Sequence, residues 1–420
     1  MRRLTPKGPS RADRTHCTQP GGSGRRLAQL VHAHPQTLAA ILHAYRNDTA
    51  PILIEATCNQ VNQSGGYTGM TPADFVGFVH GIARSGGVDF ARVILGGDHL
   101  GPNPWKAEPA ARAMANARDM VAAYVAAGFT KIHLDASMAC RGEVLAEAEM
   151  AARAADLCAV AESVAPGRLV YVIGTEVPVP GGETEHQAQL EGTSAESARQ
   201  TLALHRAAFA ARGLDAAFAR VVGVVVQPGV DFGNDQIMVY DRPRAASLAA
   251  VAPALDGPLY EAHSTDYQTP AALAALVQDH FAILKVGPEL TFAFRQAVMA
   301  LERVEGLVGL PLSGVTAALL AAARSPRRLA RLCAAGAGRR ADDALRPVGP
   351  AALLLARARG SGCVGRADDR PCGGQTAARL GRAGDRRAGL CRHFARHRDP
   401  PHGWRGHPEI PHRNRSLRCP

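Results

Sequence analysis

The sequence contains little lysine and few aromatic residues, and no stretch of it suits a membrane. Phe, Trp and Tyr make up 5% of the 420 residues, and lysine occurs only at positions 7, 106, 131 and 285. No run approaches the roughly 18 consecutive apolar residues that a membrane-spanning helix needs. The basic first segment also lacks the apolar core of a signal peptide. We therefore expect a cytoplasmic protein with no membrane partner.

Cysteine patterns and nucleotide-binding motifs are also missing. The nine cysteines form no CxxC pair and show no metal-ligand spacing. A chain of this size needs no disulfide framework, so a reducing compartment suits its scattered thiols. The sequence has no GxxxxGK[ST] motif, no GxGxxG fingerprint that follows a strand and no kinase signature. We expect no nucleotide cofactor and no kinase activity.

The net charge of +11 is distributed unevenly along the chain. Residues 1–31 carry a net charge of +6, residues 32–310 carry −10 and residues 311–420 carry +15. A basic net charge of this size would normally suggest binding to the phosphate backbone of a nucleic acid. Here, however, the arginines of both ends are not interleaved with aromatic residues and follow no helical or strand period. We therefore expect no nucleic-acid partner.

From residue 51 to about residue 305 short β-branched runs alternate with Ala-rich segments of helical period. Such alternation is typical of repeated βα units around a parallel sheet, and it predicts a (β/α)8 TIM barrel. The seven predicted strands are 52–56, 93–95, 131–134, 169–173, 221–226, 259–262 and 281–286, and the only candidate for the eighth strand that would close the barrel is 27–31. The predicted helices are 36–45, 72–85, 109–127, 142–164, 194–212, 242–251, 270–279 and 291–304.

The composition changes at both ends of this barrel, which we assign to residues 33–310. Residues 1–32 are basic, and from about residue 321 the chain is rich in Arg, Ala, Gly and Pro, with only two aromatic residues. Such a composition cannot bury enough apolar area to offset the loss of chain entropy. Two interpretations stay open for residues 1–32 and 311–420: disordered segments, or protein translated out of frame from a GC-rich gene.

Polar side chains collect where the predicted strands end. The clearest example is the segment 93–103, VILGGDHLGPN, in which an apolar run stops at two glycines before Asp98 and His99. The active site of a TIM barrel lies at the carboxyl ends of its strands, so we predict an active site there. The polar residues concerned are Glu55, Asn59, Asp98, His99, His133, Asp135, Glu176, Gln227, Glu261, His263, Asp266 and Lys285.

Several of these residue types suit a divalent metal ion. Imidazole nitrogen and carboxylate oxygen are the ligands of catalytic zinc sites, which keep one position open. We predict His99, Glu176 and His263 as the ligands of a divalent cation such as zinc. His133 is the reserve ligand. The alternative is that these side chains only form hydrogen bonds to one another.

Three acidic residues are candidates for catalysis. Asp98 is placed either to orient a neighbouring ligand or to move a proton, and we group it with Glu55 and Asp135 as candidate catalytic residues. An enediolate reaction of a sugar phosphate, such as aldol cleavage or epimerisation, needs a metal and a base of this kind.

Lys285 lies in the last apolar strand, in the sequence AILKVGP. One role for it is the Schiff-base nucleophile of a class I aldolase, which requires a buried amine. The other is a charge contact to substrate, because the loops after the seventh and eighth strands of such barrels commonly bind phosphate. We favour the charge contact. We assign Gly287, Asn59, Gln227 and Asp266 to substrate or phosphate binding as well.

Seven segments of the chain closely resemble segments of the GatZ/KbaZ family. Among them are IEATCNQVNQSGGYTGMTPADF, ILGGDHLGPNPW and YEAHSTDYQT. The resemblance covers residues from about 33 to 318, and motifs of this length in the same order make it specific. The segments are 54–75, 94–105, 127–138, 171–182, 225–232, 260–269 and 280–295.

The resemblance implies a barrel related to class II aldolases and a role in tagatose 6-phosphate breakdown, downstream of galactitol or N-acetylgalactosamine. Family members are regarded as the non-catalytic subunit of tagatose-1,6-bisphosphate aldolase, which a separate class II catalytic subunit needs for full activity and stability. The substrate of such a complex is a phosphorylated ketohexose. Asp98 and His99 are similar to the Asp-His pair of class II aldolases, with Glu176 and His263 as further ligand candidates. Some members carry an older tagatose-6-phosphate kinase label, which this sequence does not support.

Two departures from the family pattern affect the predicted barrel. The family's first strand is replaced by residues 27–31, and its aromatic-rich terminal region is missing after about residue 315. The main prediction remains an accessory aldolase subunit. Two alternatives stay open: a metal-dependent sugar-phosphate epimerase or aldolase in its own right, and an inactive product of a frameshifted gene.

Overall fold

A computed structural model gives the fold of the chain. It describes residues 27–174, 190–233, 236–255 and 257–323. All of these residues belong to one structural unit, Met1–Ser361, and the second unit, Gly362–Pro420, lies outside the described residues. Most of residues 1–32 and of residues 311–420, the two terminal segments of different composition, also lies outside the described residues.

Eight parallel strands close into a barrel. They are β1 (Leu27–Val31), β2 (Ile52–Thr57), β3 (Val93–Leu100), β4 (Lys131–Leu134), β5 (Val170–Ile173), β6 (Val221–Val226), β9 (Leu259–Ala262) and β10 (Phe281–Val286). Their order around the barrel is β1-β10-β9-β6-β5-β4-β3-β2. Two further strands, β7 (Asp231–Phe232) and β8 (Ile237–Met238), form an antiparallel pair. The predicted (β/α)8 barrel is confirmed.

The barrel closes through its first strand. β1 pairs with β10 on one side, where Gln29 lies opposite Lys285, and with β2 on the other, where Val31 lies opposite Glu55. Residues 27–31 belong to the basic first segment, and from the sequence we expect them to depart from the family pattern. That departure does not prevent closure, because Leu30 and Val31 still supply buried apolar side chains.

Helices connect the strands. They are α1 (Pro35–Ala44), α2 (Pro72–Ser85), α3 (Ala110–Ala126), α4 (Glu147–Val164), α5 (Ala195–Ala210), α6 (Asp215–Phe218), α7 (Arg242–Val251), α8 (Pro270–Gln278), α9 (Pro288–Leu307) and α10 (Val315–Ala323). Helix α2 begins with a capping box: the Asp74 N–H donates to the Thr71 hydroxyl, and the Thr71 N–H donates to the Asp74 carboxylate. None of the helices in the described ranges combines the length and the apolar character needed to cross a membrane.

Helix α4 begins later than the sequence predicts. It starts at Glu147 rather than at Gly142. The Cys140 N–H donates to the Glu143 carboxylate at 2.7 Å, and that carboxylate also binds Arg153. Residues 140–143 therefore form a turn ahead of the helix. The short elements α6, β7 and β8 were not predicted, because two to four residues are too few to show a hydrophobic period.

The barrel strands are buried on both faces. In β2, residues 52–54 and Ala56 are at most 1% exposed, which explains why the strands read as continuous apolar runs. Buried charges interrupt these runs. An unpaired buried charge costs several kcal/mol, so each charged side chain in the barrel needs a partner. The charged side chains buried in the barrel strands are Glu55, Asp98, Lys131 and Glu261.

Gly101, at the end of β3, has no room for a side chain. A Cβ atom at this position would lie 1.6 Å from the main-chain oxygen of Asp135. Gly101→Ala is therefore expected to lower the free energy of unfolding by about 2–3 kcal/mol, measured by urea denaturation. Gly81→Ala is the control, because Gly81 lies in α2 with open space around it and should gain about 0.5–1 kcal/mol. Similar effects of the two substitutions would contradict the prediction.

Candidate active site

A β-bulge at the end of β3 shapes the mouth of the barrel. Gly97 lies opposite Ile132 and Leu100 lies opposite Leu134, so Asp98 and His99 together face the single residue His133. His99 has a φ of 50°, in the left-handed region that residues with a side chain rarely adopt. Neighbouring residues of a regular strand point to opposite faces, but this bulge brings both side chains into the mouth.

Three buried side chains converge at this bulge. Ligand atoms of Asp98, His133 and His263 all lie within 4.8 Å of one another. The three side chains are fully buried. Among the described residues this is the group that suits a metal ion, and it includes His133, the reserve ligand. His99 is outside the group, and Glu176 lies outside the described residues.

The hydrogen bonds of His133 show which of its nitrogens can bind a cation. Nε2 lies 3.2 Å from the carbonyl oxygen of Gly174, which can only accept, so Nε2 carries the proton. Nδ1 accepts from the His99 N–H at 3.3 Å and lies 3.1 Å from Asp98 Oδ1. His133 Nδ1 and Asp98 Oδ1 thus both present a lone pair to the space between them. Zinc binds nitrogen and carboxylate oxygen at about 2.0–2.2 Å, so this donor pair suits a shared cation.

Asp98 is held as an anion by its neighbours. Its Oδ2 lies 2.7 Å from Lys285 Nζ, and its Oδ1 contacts His133. Burial alone would raise the pKa of Asp98, but the charges of His99 and Lys285 hold it well below its usual value. Asp98 therefore offers a charged oxygen to a cation.

His99 occupies the exposed side of this cluster. Its Nδ1 lies 2.7 Å from Asp135 Oδ2, and its Nε2 lies 2.6 Å from Lys285 Nζ. The side chain of His99 is 21% exposed and that of Lys285 12% exposed, so both reach the mouth. Burial lowers the pKa of His99, and the charge of Asp98 opposes that effect. The pKa of Asp135 lies below its usual value, since the interaction with His99 outweighs burial.

A second group of charges lies one layer deeper in the barrel. Lys131 Nζ lies 2.8 Å from Glu55 Oε1 and 3.0 Å from Glu261 Oε2, and Gln29 donates to Glu55. Lys131 and Glu261 precede His133 and His263 by two residues, which places them on the same inner face of their strands. Burial would lower the pKa of Lys131, but its two carboxylate partners raise it above the usual value.

This deeper group contains one predicted site residue and one that the sequence analysis missed. Glu55, a predicted catalytic residue, is fully buried below the mouth, and burial raises its pKa. The sequence suggests no role for Lys131, although a lysine at the start of a short buried strand is an unusual signal. Gly96 leaves room for this arrangement, because a Cβ atom there would lie 2.0 Å from Glu55 Oε1.

The predicted substrate-binding residues take different positions. Asp266 Oδ1 accepts from the N–H groups of Gly287 and Glu289 at 2.9 and 2.8 Å. Gln227 Oε1 accepts from the N–H of Gly229 at 2.8 Å, within its own loop. Asn59 is exposed. Lys285 therefore has the most direct contact with the group of Asp98, His133 and His263, through Asp98, and the roles of the other four residues stay predictions.

Asp266 should make stability depend on pH. Burial, reinforced by the charge of Glu289, raises the pKa of Asp266 to about 7 against the two main-chain N–H donors. Between about pH 4 and pH 7 the folded state keeps a proton that the unfolded state has released, so the stabilisation is complete below pH 4, falls across this interval and is lost above pH 7. At pH 8 the free energy of unfolding of Asp266→Asn, measured with urea, should exceed that of the wild type by about 4 kcal/mol, since the wild type loses about 1.4 kcal/mol for each pH unit between the unfolded and the folded pKa of Asp266, and at pH 4 the two should be equal. A constant difference across this range would contradict the prediction.

Comparison with known proteins assigns the chain to a family. A family model described as D-tagatose-1,6-bisphosphate aldolase subunit GatZ/KbaZ-like matches residues 18–312. The chain belongs to this family. The match includes the bulge of β3, the group of Asp98, His133 and His263, and the deeper charges. It also begins ahead of β1, so the closing strand lies within the region of GatZ/KbaZ similarity.

Individual GatZ/KbaZ relatives carry different names. A protein of Agrobacterium fabrum named D-tagatose 6-phosphate 4-epimerase is 53% identical over 293 residues, covering 67% of this chain and 68% of the relative. The D-tagatose-1,6-bisphosphate aldolase subunit GatZ of Escherichia coli is 54% identical over 285 residues, covering 66% and 68%. The crystal structure of a probable tagatose 6 phosphate kinase from Sinorhizobium meliloti is similar to this chain, with a TM-score of 0.70 and 45% identity, covering 80% of this chain and 84% of that one.

Proposed function

We propose that this chain is a subunit of a tagatose-1,6-bisphosphate aldolase, which a separate class II catalytic subunit needs for full activity and stability. The observation that carries the proposal is the GatZ/KbaZ-like match over residues 18–312. The 54% identity to the aldolase subunit GatZ of Escherichia coli supports it. The ligand of the complex is a phosphorylated ketohexose, and a cytoplasmic location accords with the free thiols of Cys58, Cys140 and Cys158.

A mixing experiment tests the subunit role. A purified class II tagatose-bisphosphate aldolase catalytic subunit is assayed with and without this chain, and both its cleavage rate and its half-life at 37 °C are expected to rise. An unrelated TIM-barrel protein at the same concentration is the control. An unchanged rate and half-life, or full aldolase activity of this chain alone, would contradict the proposal.

The geometry of the mouth favours a second function, an epimerase of phosphorylated ketohexoses in its own right. In this function Asp98, His133 and His263 hold a divalent cation, for which we propose zinc. Such a cation polarises the carbonyl or alkoxide oxygen of a bound sugar. The name of the Agrobacterium fabrum relative, D-tagatose 6-phosphate 4-epimerase, supports this substrate class.

The side chains around the cation site supply the remaining chemistry. His99 is oriented by Asp135 and reaches the mouth, so it is the candidate to move a proton to or from the sugar. Lys285 contacts both His99 and Asp98. These contacts support the predicted charge contact to substrate rather than a Schiff-base role. In this proposal Asp98 binds the cation and His99 moves the proton. The sequence suggests the reverse, with His99 as the ligand and Asp98 as the residue that orients a ligand or moves a proton.

Turnover of D-tagatose 6-phosphate tests the epimerase function. The purified chain is incubated with the sugar, with and without a chelator, and the products are separated by chromatography. Epimerisation that needs the metal and is lost in His99→Ala is the expected result. His43→Ala is the control, because His43 lies exposed in the last turn of α1. No turnover, or turnover that His99→Ala leaves unchanged, would reject this function.

A further inference from the structure

We propose that Glu261 is the positioning residue for the metal ligand His263, and that Lys131 fixes Glu261 in the orientation that this role requires. The inference rests on the metal site proposed above. It assigns a task to two buried charges that neither the sequence nor the proposed reaction explains.

The contact between Glu261 and His263 sets the direction of the imidazole ring. His263 Nε2 lies 3.0 Å from Glu261 Oε1, and both side chains are fully buried. An ionised carboxylate can only accept a hydrogen bond, so Nε2 carries the proton and the lone pair resides on Nδ1. His133 shows the same arrangement, with its Nε2 on the Gly174 carbonyl and its Nδ1 on the Asp98 side.

Lys131 holds the second oxygen of the same carboxylate. Its Nζ lies 3.0 Å from Glu261 Oε2, while Oε1 is engaged with His263. With Oε1 hydrogen-bonded to His263 and Oε2 in an ion pair with Lys131, rotation of the carboxylate would break at least one buried contact. Histidines that bind metals commonly donate their other N–H to a carboxylate or a carbonyl, which fixes the ring and increases its basicity. Glu261 supplies this partner to His263.

Glu55 provides an internal comparison. It is fully buried and pairs with the same lysine at 2.8 Å, but its other oxygen accepts from Gln29 and not from a histidine. Substitution of Glu55 thus perturbs the same charge cluster without touching a proposed ligand. If the cluster has a purely structural role, substitutions of Glu55 and of Glu261 should weaken zinc binding equally. If Glu261 positions His263, its substitution should weaken zinc binding more than that of Glu55.

Zinc affinity separates these two roles. Zinc binding to the purified full chain is measured by competition with a chromophoric chelator for the wild type, Glu261→Gln and Glu55→Gln. Glu261→Gln keeps the shape and one acceptor but loses the charge, and a 10- to 100-fold weaker zinc affinity is expected. Glu55→Gln should stay within about threefold of the wild type. Equal losses in both variants, or no zinc binding by the wild type, would overturn the proposal.

The tautomer of His263 gives a readout that needs neither metal nor substrate. In the metal-free wild type, long-range ¹H–¹⁵N spectra should show His263 protonated at Nε2, with its signals assigned by their loss in His263→Gln. A His263 ring protonated at Nδ1 would overturn the proposal, whether or not any variant folds. Since neither measurement uses a sugar phosphate, failure of the aldolase or epimerase assays remains distinguishable from failure of this inference.

Discussion

Lys131→Met is expected to lower the free energy of unfolding by about 3–5 kcal/mol. Lys131 is the cation shared by Glu55 and Glu261, and all three side chains are at most 4% exposed. Methionine fills a similar volume but leaves two buried carboxylates without a counter-charge. Urea denaturation at pH 7, followed by circular dichroism, measures the loss.

Two controls identify the charge as the cause of this loss. Lys106→Met removes an exposed lysine from the loop after β3 and should change the stability by no more than about 0.5 kcal/mol. The triple variant Lys131→Met, Glu55→Gln, Glu261→Gln removes the uncompensated carboxylates and should regain part of the loss. If Lys131→Met costs no more than Lys106→Met, the buried charge cluster does not stabilise the barrel.

Asp98→Asn is expected to reduce metal-dependent turnover of D-tagatose 6-phosphate about a thousandfold. This factor corresponds to about 4 kcal/mol of transition-state stabilisation, which is typical of a metal acting as a Lewis acid. Asparagine keeps the shape of the side chain, but it removes the anion that faces His133 at 3.1 Å and Lys285 at 2.7 Å. Steady-state kinetics with saturating zinc measure the effect on kcat.

The matched control for this substitution is Asp215→Asn. Asp215 is an exposed acid at the start of α6, so its loss should leave kcat within about twofold. The comparison requires that both variants unfold at similar urea concentrations. An Asp98→Asn protein with kcat close to that of the control would show that Asp98 does not hold the metal.

Most of the barrel could be predicted from the sequence because its strands are buried on both faces. Such strands read as short β-branched runs, and the predicted bounds of β1, β4, β6, β9 and β10 agree with the structure. Helix α2 was predicted to the residue, since a proline and a capping box mark its start. The start of α4 was not predicted correctly, because the turn at residues 140–143 depends on the contact between Glu143 and Arg153.

The place of the active site could also be predicted, but the pairing of its side chains could not. The sequence shows which residues follow the strands, and Asp98, His133 and His263 were among them. It does not show a bulge, so the sequence cannot reveal that Asp98 and His99 both face His133. The contacts of Lys131 with Glu55 and Glu261 join residues far apart in the chain, and no local pattern encodes them.

X-ray absorption spectroscopy of the zinc-loaded protein tests the central claim, that Asp98, His133 and His263 form the metal site. We expect two imidazole ligands in the wild type, one in His133→Ala and still two in His99→Ala. An imidazole lost in His99→Ala and retained in His133→Ala would rule out this metal site and restore His99 as the ligand.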